Sequence, residues 1–163
     1  MGKNAKSAAE RQESIWDYPR PPRAEDCFRH IQVVLNGVVI ADSRQGVRVL
    51  ESGHPPVFYI PPEDVLMQSL EATGRRTQCE FKGEAHYFRV QVGERTVENA
   101  VWSYPEPLPP YERIKDYLAF YANRMDACLV DGEVAAPESG DFYGGWITRE
   151  ITGFANERPG ASR

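Results

Sequence analysis

Apolar and polar residues alternate along much of this chain with a period of two, the mark of half-buried strands. Ile31-Gln32-Val33-Val34-Leu35 and Val38-Val39-Ile40-Ala41 flank Asn36-Gly37, the strongest short-range hairpin signal. Residues 47–51 and 57–60 are further apolar strands, separated by Gly53-His54-Pro55-Pro56. Residues 77–81, 85–92 and 95–102 also read as β. In the second of these His86, Phe88, Val90 and Val92 share one face and Tyr87, Arg89 and Gln91 the other, which favours a hydrogen-bonded core histidine at His86 over a catalytic one facing a pocket. Residues 127–130, closed by Asp131-Gly132, form another strand and turn. Two segments predict short helices. Residues 61–72 open on Pro61-Pro62-Glu63-Asp64, a proline start with acids in the first turn. Residues 111–121 place Ile114, Tyr117, Leu118 and Tyr121 at helical spacing. The pattern therefore predicts a mainly β (β-rich α+β) fold: a single compact antiparallel β domain with one or two short helices.

The chain divides into a polar, disordered tail over residues 1–14, one domain over 15–160 and a short end at 161–163. The domain begins with a proline-rich strap over 15–24, which contains Trp16-Asp17-Tyr18-Pro19-Arg20-Pro21-Pro22-Arg23. Prolines fix φ and remove donors, so the strap is extended and reads as an arm wrapped over an edge. A length of 163 residues suits one domain with a real core. The net charge of −5 argues against general nucleic-acid binding, which favours a basic face. No apolar run approaches the ~20 residues of a membrane-spanning helix. The first residues lack the apolar centre of a secretory signal, so a cytosolic location is expected. Cys27, Cys79 and Cys128 are isolated and odd in number, which fits reduced thiols rather than a disulfide framework or a zinc knuckle.

Several ordered motifs add up to a resemblance. They are residues 51–61, Cys79-Glu80-Phe81-Lys82-Gly83-Glu84-Ala85-His86-Tyr87, Ala100-Val101-Trp102-Ser103-Tyr104-Pro105, Phe120-Tyr121, Met125-Asp126-Ala127-Cys128 and Asp141-Phe142-Tyr143-Gly144-Gly145-Trp146-Ile147-Thr148. Together they resemble the small bacterial and fungal family called domain of unknown function 427, over residues 16–160. The resemblance implies tent-like antiparallel sheets of the Mss4-like kind. Many proteins of that shape hold zinc through paired CxxC knuckles; this chain has none, so no metal or other cofactor is expected. Family members are also labelled nucleotidyltransferase domains. That chemistry needs a glycine turn followed by an Asp-x-Asp pair, and no such pair follows Gly144-Gly145 or occurs elsewhere.

Candidate chemistry sits in rigid segments bounded by glycine and proline. His54, stiffened by the prolines that follow it, suits acid–base work near neutral pH or caps a strand end. Cys79 and Lys82 have opposite strand parity, and a turn at Gly83 would bring the ammonium towards the thiol. A buried structural Cys79 beside a solvated Lys82 is the simpler reading. Tyr59, Tyr87, Trp102, Tyr104, Tyr143 and Trp146 offer flat surfaces with polar tips, suited to a small ligand or to core packing. One of Trp102 and Trp146 is expected to face a cavity while the other packs. Glu84, Arg124 and Asp126 are the nearby charges, and Gly144 and Gly145 permit close approach.

These features predict a pocket at the Gly-Gly turn for a small polar or anionic ligand, with enzymatic activity left open. The alternative is an interaction module whose strap and edge strands mediate self-association or partner binding. A Cys79-dependent enzyme or a nucleotidyltransferase-like activity is the weaker alternative.

Overall fold

The computed structural model describes residues 12–139 and 144–154, and fifteen short strands carry the fold within them. In chain order these are β1 (Glu13–Ser14), β2 (Arg23–Cys27), β3 (Ile31–Leu35), β4 (Val38–Ser43), β5 (Gly46–Leu50), β6 (Val57–Tyr59), β7 (Leu70–Cys79) and β8 (Gly83–Val92). They continue as β9 (Arg95–Ser103), β10 (Ala119–Phe120), β11 (Ala127–Val130), β12 (Glu133–Val134), β13 (Ala136–Pro137), β14 (Trp146–Ile147) and β15 (Ile151–Thr152). Three antiparallel sheets result, ordered β12-β11-β3-β4, β10-β9-β8-β7 and β2-β5-β6. The antiparallel pair β13-β14 and the parallel pair β1-β15 complete them. The protein is mainly β, as its alternation predicts.

The turn chemistry acts where it was expected. Asn36 and Gly37 both take positive φ, 51° and 78°, the two-residue turn whose twist matches the flanking strands. Asp131 and Gly132 repeat this geometry between β11 and β12.

Successive strand residues point to opposite faces, and here the two faces feed two different apolar clusters. Phe58, Ile60, Val101 and Phe120 enter a main core with Ile31, Leu35, Val90 and Trp146. Their neighbours Tyr59, Trp102, Ala119 and Tyr121 enter a second, aromatic cluster with Tyr87, Tyr104 and Tyr111. Backbone bonds of 2.8 Å in both directions between Ile60 and Leu118 tie the β6 end to the approach of β10.

Both predicted helices are corrected. Over 61–72 the chain makes two separate 3-10 turns, Pro62–Asp64 and Met67–Ser69. Between them Val65 is drawn into a bridge with Ala41, and Leu70 already starts β7. Over 111–121 a 3-10 segment (Pro109–Ile114) ends before Asp116, whose φ of 64° no α-helix accepts. The helical spacing there is coincidental: Ile114 and Tyr121 belong to the aromatic cluster, Leu118 to the main core.

His86 is also corrected. Phe88 and Val90 do face the main core, but His86 lies past its edge and pairs at the surface with Glu84, 3.2 Å away. Tyr87, on the opposite face of the strand, is buried with Ala85 in the second cluster. The strand is covered on alternate faces at its two ends.

The strap does wrap the domain. Ser14 caps a 3-10 turn (Ile15–Asp17), and Ile15 and Tyr18 pack with Leu50 and Ile151. Trp16 Nε1 donates to the Gly153 carbonyl at 2.6 Å, and Tyr111 Oη donates to the Pro22 carbonyl at 2.6 Å. Glu13 and Ser14, expected within the disordered tail, pair instead with Ile151 and Thr152; residues 1–11 and 155–163 lie outside the described residues. Among the described residues no helix is long and apolar enough to cross a membrane.

Candidate functional site

A cleft of about 240 Å³ opens above the aromatic cluster. Its floor follows from strand parity: Tyr59 at the end of β6, Tyr87 on β8, Trp102 on β9 and Tyr104 just beyond all point to the same side. Tyr59 meets Trp102 edge-on at 6.3 Å and 86°, and Trp102 lies 4.6 Å from Tyr121, so the floor is held by ring contacts. Burial raises the Tyr59 and Tyr104 hydroxyls far above the usual tyrosine range, which keeps both neutral donors.

The rim is polar. β7 and β8 pair Cys79 with Gly83, leaving Glu80, Phe81 and Lys82 as a three-residue turn that forms one wall. Gly83 takes φ of 112°, so the turn at this glycine brings Cys79 and Lys82 to the same cleft despite their opposite parity. Arg20 of the strap pairs with Glu51 at 2.8 Å and stacks over Phe81 at 5.3 Å. Opposite stands His54, whose Nδ1 lies 2.7 Å from Oε2 of Glu138. The Glu138 hydrogen bond holds the imidazole above its usual pKa, against the opposing effect of partial burial. The other Glu138 oxygen accepts from Gly145 N at 3.1 Å.

Two groups open on the cleft without a hydrogen-bond or ion-pair partner among the described residues. Tyr104 is 5% exposed, and among the described residues its hydroxyl makes no hydrogen bond. No side-chain oxygen is both fully enclosed and unpaired, so this hydroxyl reaches the cleft that the residue lines. Lys82 Nζ lies 6.0 Å from the Tyr104 ring centroid and forms no ion pair or hydrogen bond among the described residues.

Residues 23–131 match the family described as Domain of unknown function (DUF427). The chain belongs to that family. No curated protein matches it.

This DUF427 domain brings many of the anticipated residues together. His54, Cys79, Lys82, Tyr59, Tyr87, Trp102, Tyr104 and Gly144 all line the cleft. The two tryptophans are placed differently: Trp102 lines the cleft, while Trp146 is 1% exposed and lies 5.1 Å from Phe58. Trp146 Nε1 donates to the Phe120 carbonyl at 2.9 Å, so this residue belongs to the core. Gly144 and Gly145 serve close approach. A β-carbon on Gly144 would overlap the Trp102 indole, and one on Gly145 would lie 2.6 Å from the Pro55 carbonyl oxygen.

Other anticipated residues lie elsewhere. Glu84 faces outward with His86. Arg124 donates to the Glu98 and Asn99 carbonyls, and Asp126 binds Arg95 and the Asn36 N–H at the base of a hairpin. Tyr143 lies outside the described residues. His30, His54 and His86 pair with three different carboxylates, and among the described residues no three His, Cys, Asp or Glu side chains converge as a metal set.

Sequence reasoning missed Glu138 and Arg20 as site residues. Glu138 follows two residues of β13 in a loop without periodicity, and only its partner His54 would have drawn attention to it. Arg20 stood in the strap, whose prolines signalled an arm rather than a cleft wall.

Proposed function

We propose that the cleft binds a small carboxylate-bearing or similarly anionic ligand with a flat or apolar body. The observation that carries this is a tyrosine hydroxyl and an ammonium that both open on one aromatic floor and have no hydrogen-bond or ion-pair partner among the described residues. The Tyr104 hydroxyl reaches the cleft and is kept neutral by burial of its ring, so it can donate to an acceptor bound there. The volume falls below the about 300–1,000 Å³ of typical ligand pockets, which favours a ligand of amino-acid size over a dinucleotide. His54, held by Glu138, provides a proton-exchanging group at the opposite rim, so the same site has the parts for acid–base chemistry on its ligand.

The alternative reading, self-association through the strap, is less favoured because Trp16, Tyr18 and Pro22 are engaged within the domain. Calorimetric titration with small carboxylates and their neutral amides tests the cleft reading. Binding should be selective for the carboxylates and should weaken about tenfold or more in Lys82→Met and Tyr104→Phe. Equal behaviour of acids and amides, or of all three proteins, would overturn it.

A further inference from the structure

We propose that Cys79 is a covalent capture site in this cleft, exchanging with low-molecular-weight disulfides of the amino-acid type to form a mixed disulfide. The inference rests on the cleft being a ligand site and adds the class of reagent it takes.

The three thiols are placed very differently. Cys27 and Cys128 are 5% and 1% exposed, and burial raises both above the usual thiol range, which suppresses the thiolate that reacts. Cys79 is half-buried at the last position of β7 and forms part of the cleft wall. The turn that follows it adds a carboxylate at Glu80, a ring at Phe81 and an ammonium at Lys82 to the same wall. Among the described residues neither Glu80 nor Lys82 has an ion-pair partner. A free carboxylate and a free ammonium two residues apart complement a zwitterion. Tyr104, only 5% exposed as a residue, turns a hydroxyl with no partner among the described residues to the same cleft and supplies an independent donor. The cleft holds one amino-acid-sized half of such a disulfide, and the other half departs to solvent.

The chemistry balances without a further oxidant. Cys79 loses its proton, and its sulfur attacks one sulfur of the disulfide. A new S–S bond forms to that half as the original S–S bond breaks. The departing thiolate takes up a proton, and a second thiol reverses the exchange by the same route.

The test uses the full chain with cystine as the zwitterionic reagent and hydroxyethyl disulfide as the uncharged one. Intact mass and peptide mapping follow the adducts, and each rate is normalised to the reagent's rate with free cysteine. A single cysteinyl adduct on Cys79 is expected, formed about tenfold or more faster than the uncharged adduct because the charged turn concentrates the reagent. Lys82→Gln should remove that advantage, and the Cys27→Ser, Cys128→Ser double variant should retain it. Adducts on Cys27 or Cys128, or equal normalised rates, would overturn the inference. Peptide mapping of the unaltered protein reports the site even where a variant folds poorly. Titration of Cys79→Ser with small carboxylates separates the two readings. Binding there without thiolation of the unaltered chain sinks only the covalent inference, whereas loss of both sinks the ligand site as well.

Discussion

Nδ1 of His54 lies 2.7 Å from Oε2 of Glu138, joining a proline-stiffened loop to a carboxylate 84 residues further along the chain. The second Glu138 oxygen holds the Gly145 N–H, so one side chain fixes the imidazole and the glycine turn together. That arrangement aligns the rim of the cleft on its C-terminal side.

Glu138→Gln should therefore lower the His54 pKa towards the ordinary 6.5, measurable by NMR titration of the imidazole. A histidine with a raised folded pKa adds stability that is complete below its unfolded pKa and disappears as pH rises through the folded value. Urea melts should accordingly show the unaltered protein ahead of the variant by more at about pH 5.5 than at about pH 9. An equal gap at both pH values would refute the charged pairing.

Two tyrosines give a contrast in stability. Tyr111 Oη donates to the Pro22 carbonyl at 2.6 Å in a buried setting, so Tyr111→Phe should cost about 1–2 kcal/mol. Tyr104 makes no such bond among the described residues, and Tyr104→Phe should leave stability within about 0.5 kcal/mol or raise it slightly. Denaturant midpoints for the pair provide the measurement.

Gly144→Ala drives a methyl into the Trp102 indole. A loss of about 1–3 kcal/mol is expected from overpacking, together with a change in tryptophan fluorescence as the cleft floor shifts. Gly37→Ala is the control: nothing lies within 4 Å of its position, so only the strain at φ of 78° is felt. It should cost about 1 kcal/mol and leave the fluorescence unchanged.

Trp146→Phe separates core from site. It removes the bond to the Phe120 carbonyl and leaves space in the main core, with an expected loss of about 2–4 kcal/mol. Carboxylate affinity, measured well below the melting temperature, should stay within about twofold because the residue does not line the cleft.

The strands were legible because period-two alternation and Asn-Gly or Asp-Gly turns are local signals, and Asn36-Gly37 and Asp131-Gly132 both act as such signals predict. The segment around Ile114 was not. Its apolar residues serve two clusters on different sides of the chain, and spacing alone cannot distinguish that from one helical face. His86 failed for a related reason: the pattern identified its face of β8 but not where the core beneath that face ends. The close approach at Gly144-Gly145 was readable as a need for small residues, whereas their neighbours Trp102 and Pro55 became visible only in three dimensions. Glu138 had no local mark, since its role arises from a contact across 84 positions.

The family match spans residues 23–131, yet Arg20, Glu138 and Gly144 stand in the cleft wall from outside that span. A protein trimmed to the matched span would keep the aromatic floor, His54 and the Cys79–Lys82 turn, but with two sides of the vessel removed. The segments on either side of the matched span thus act as walls to a floor that the span alone supplies.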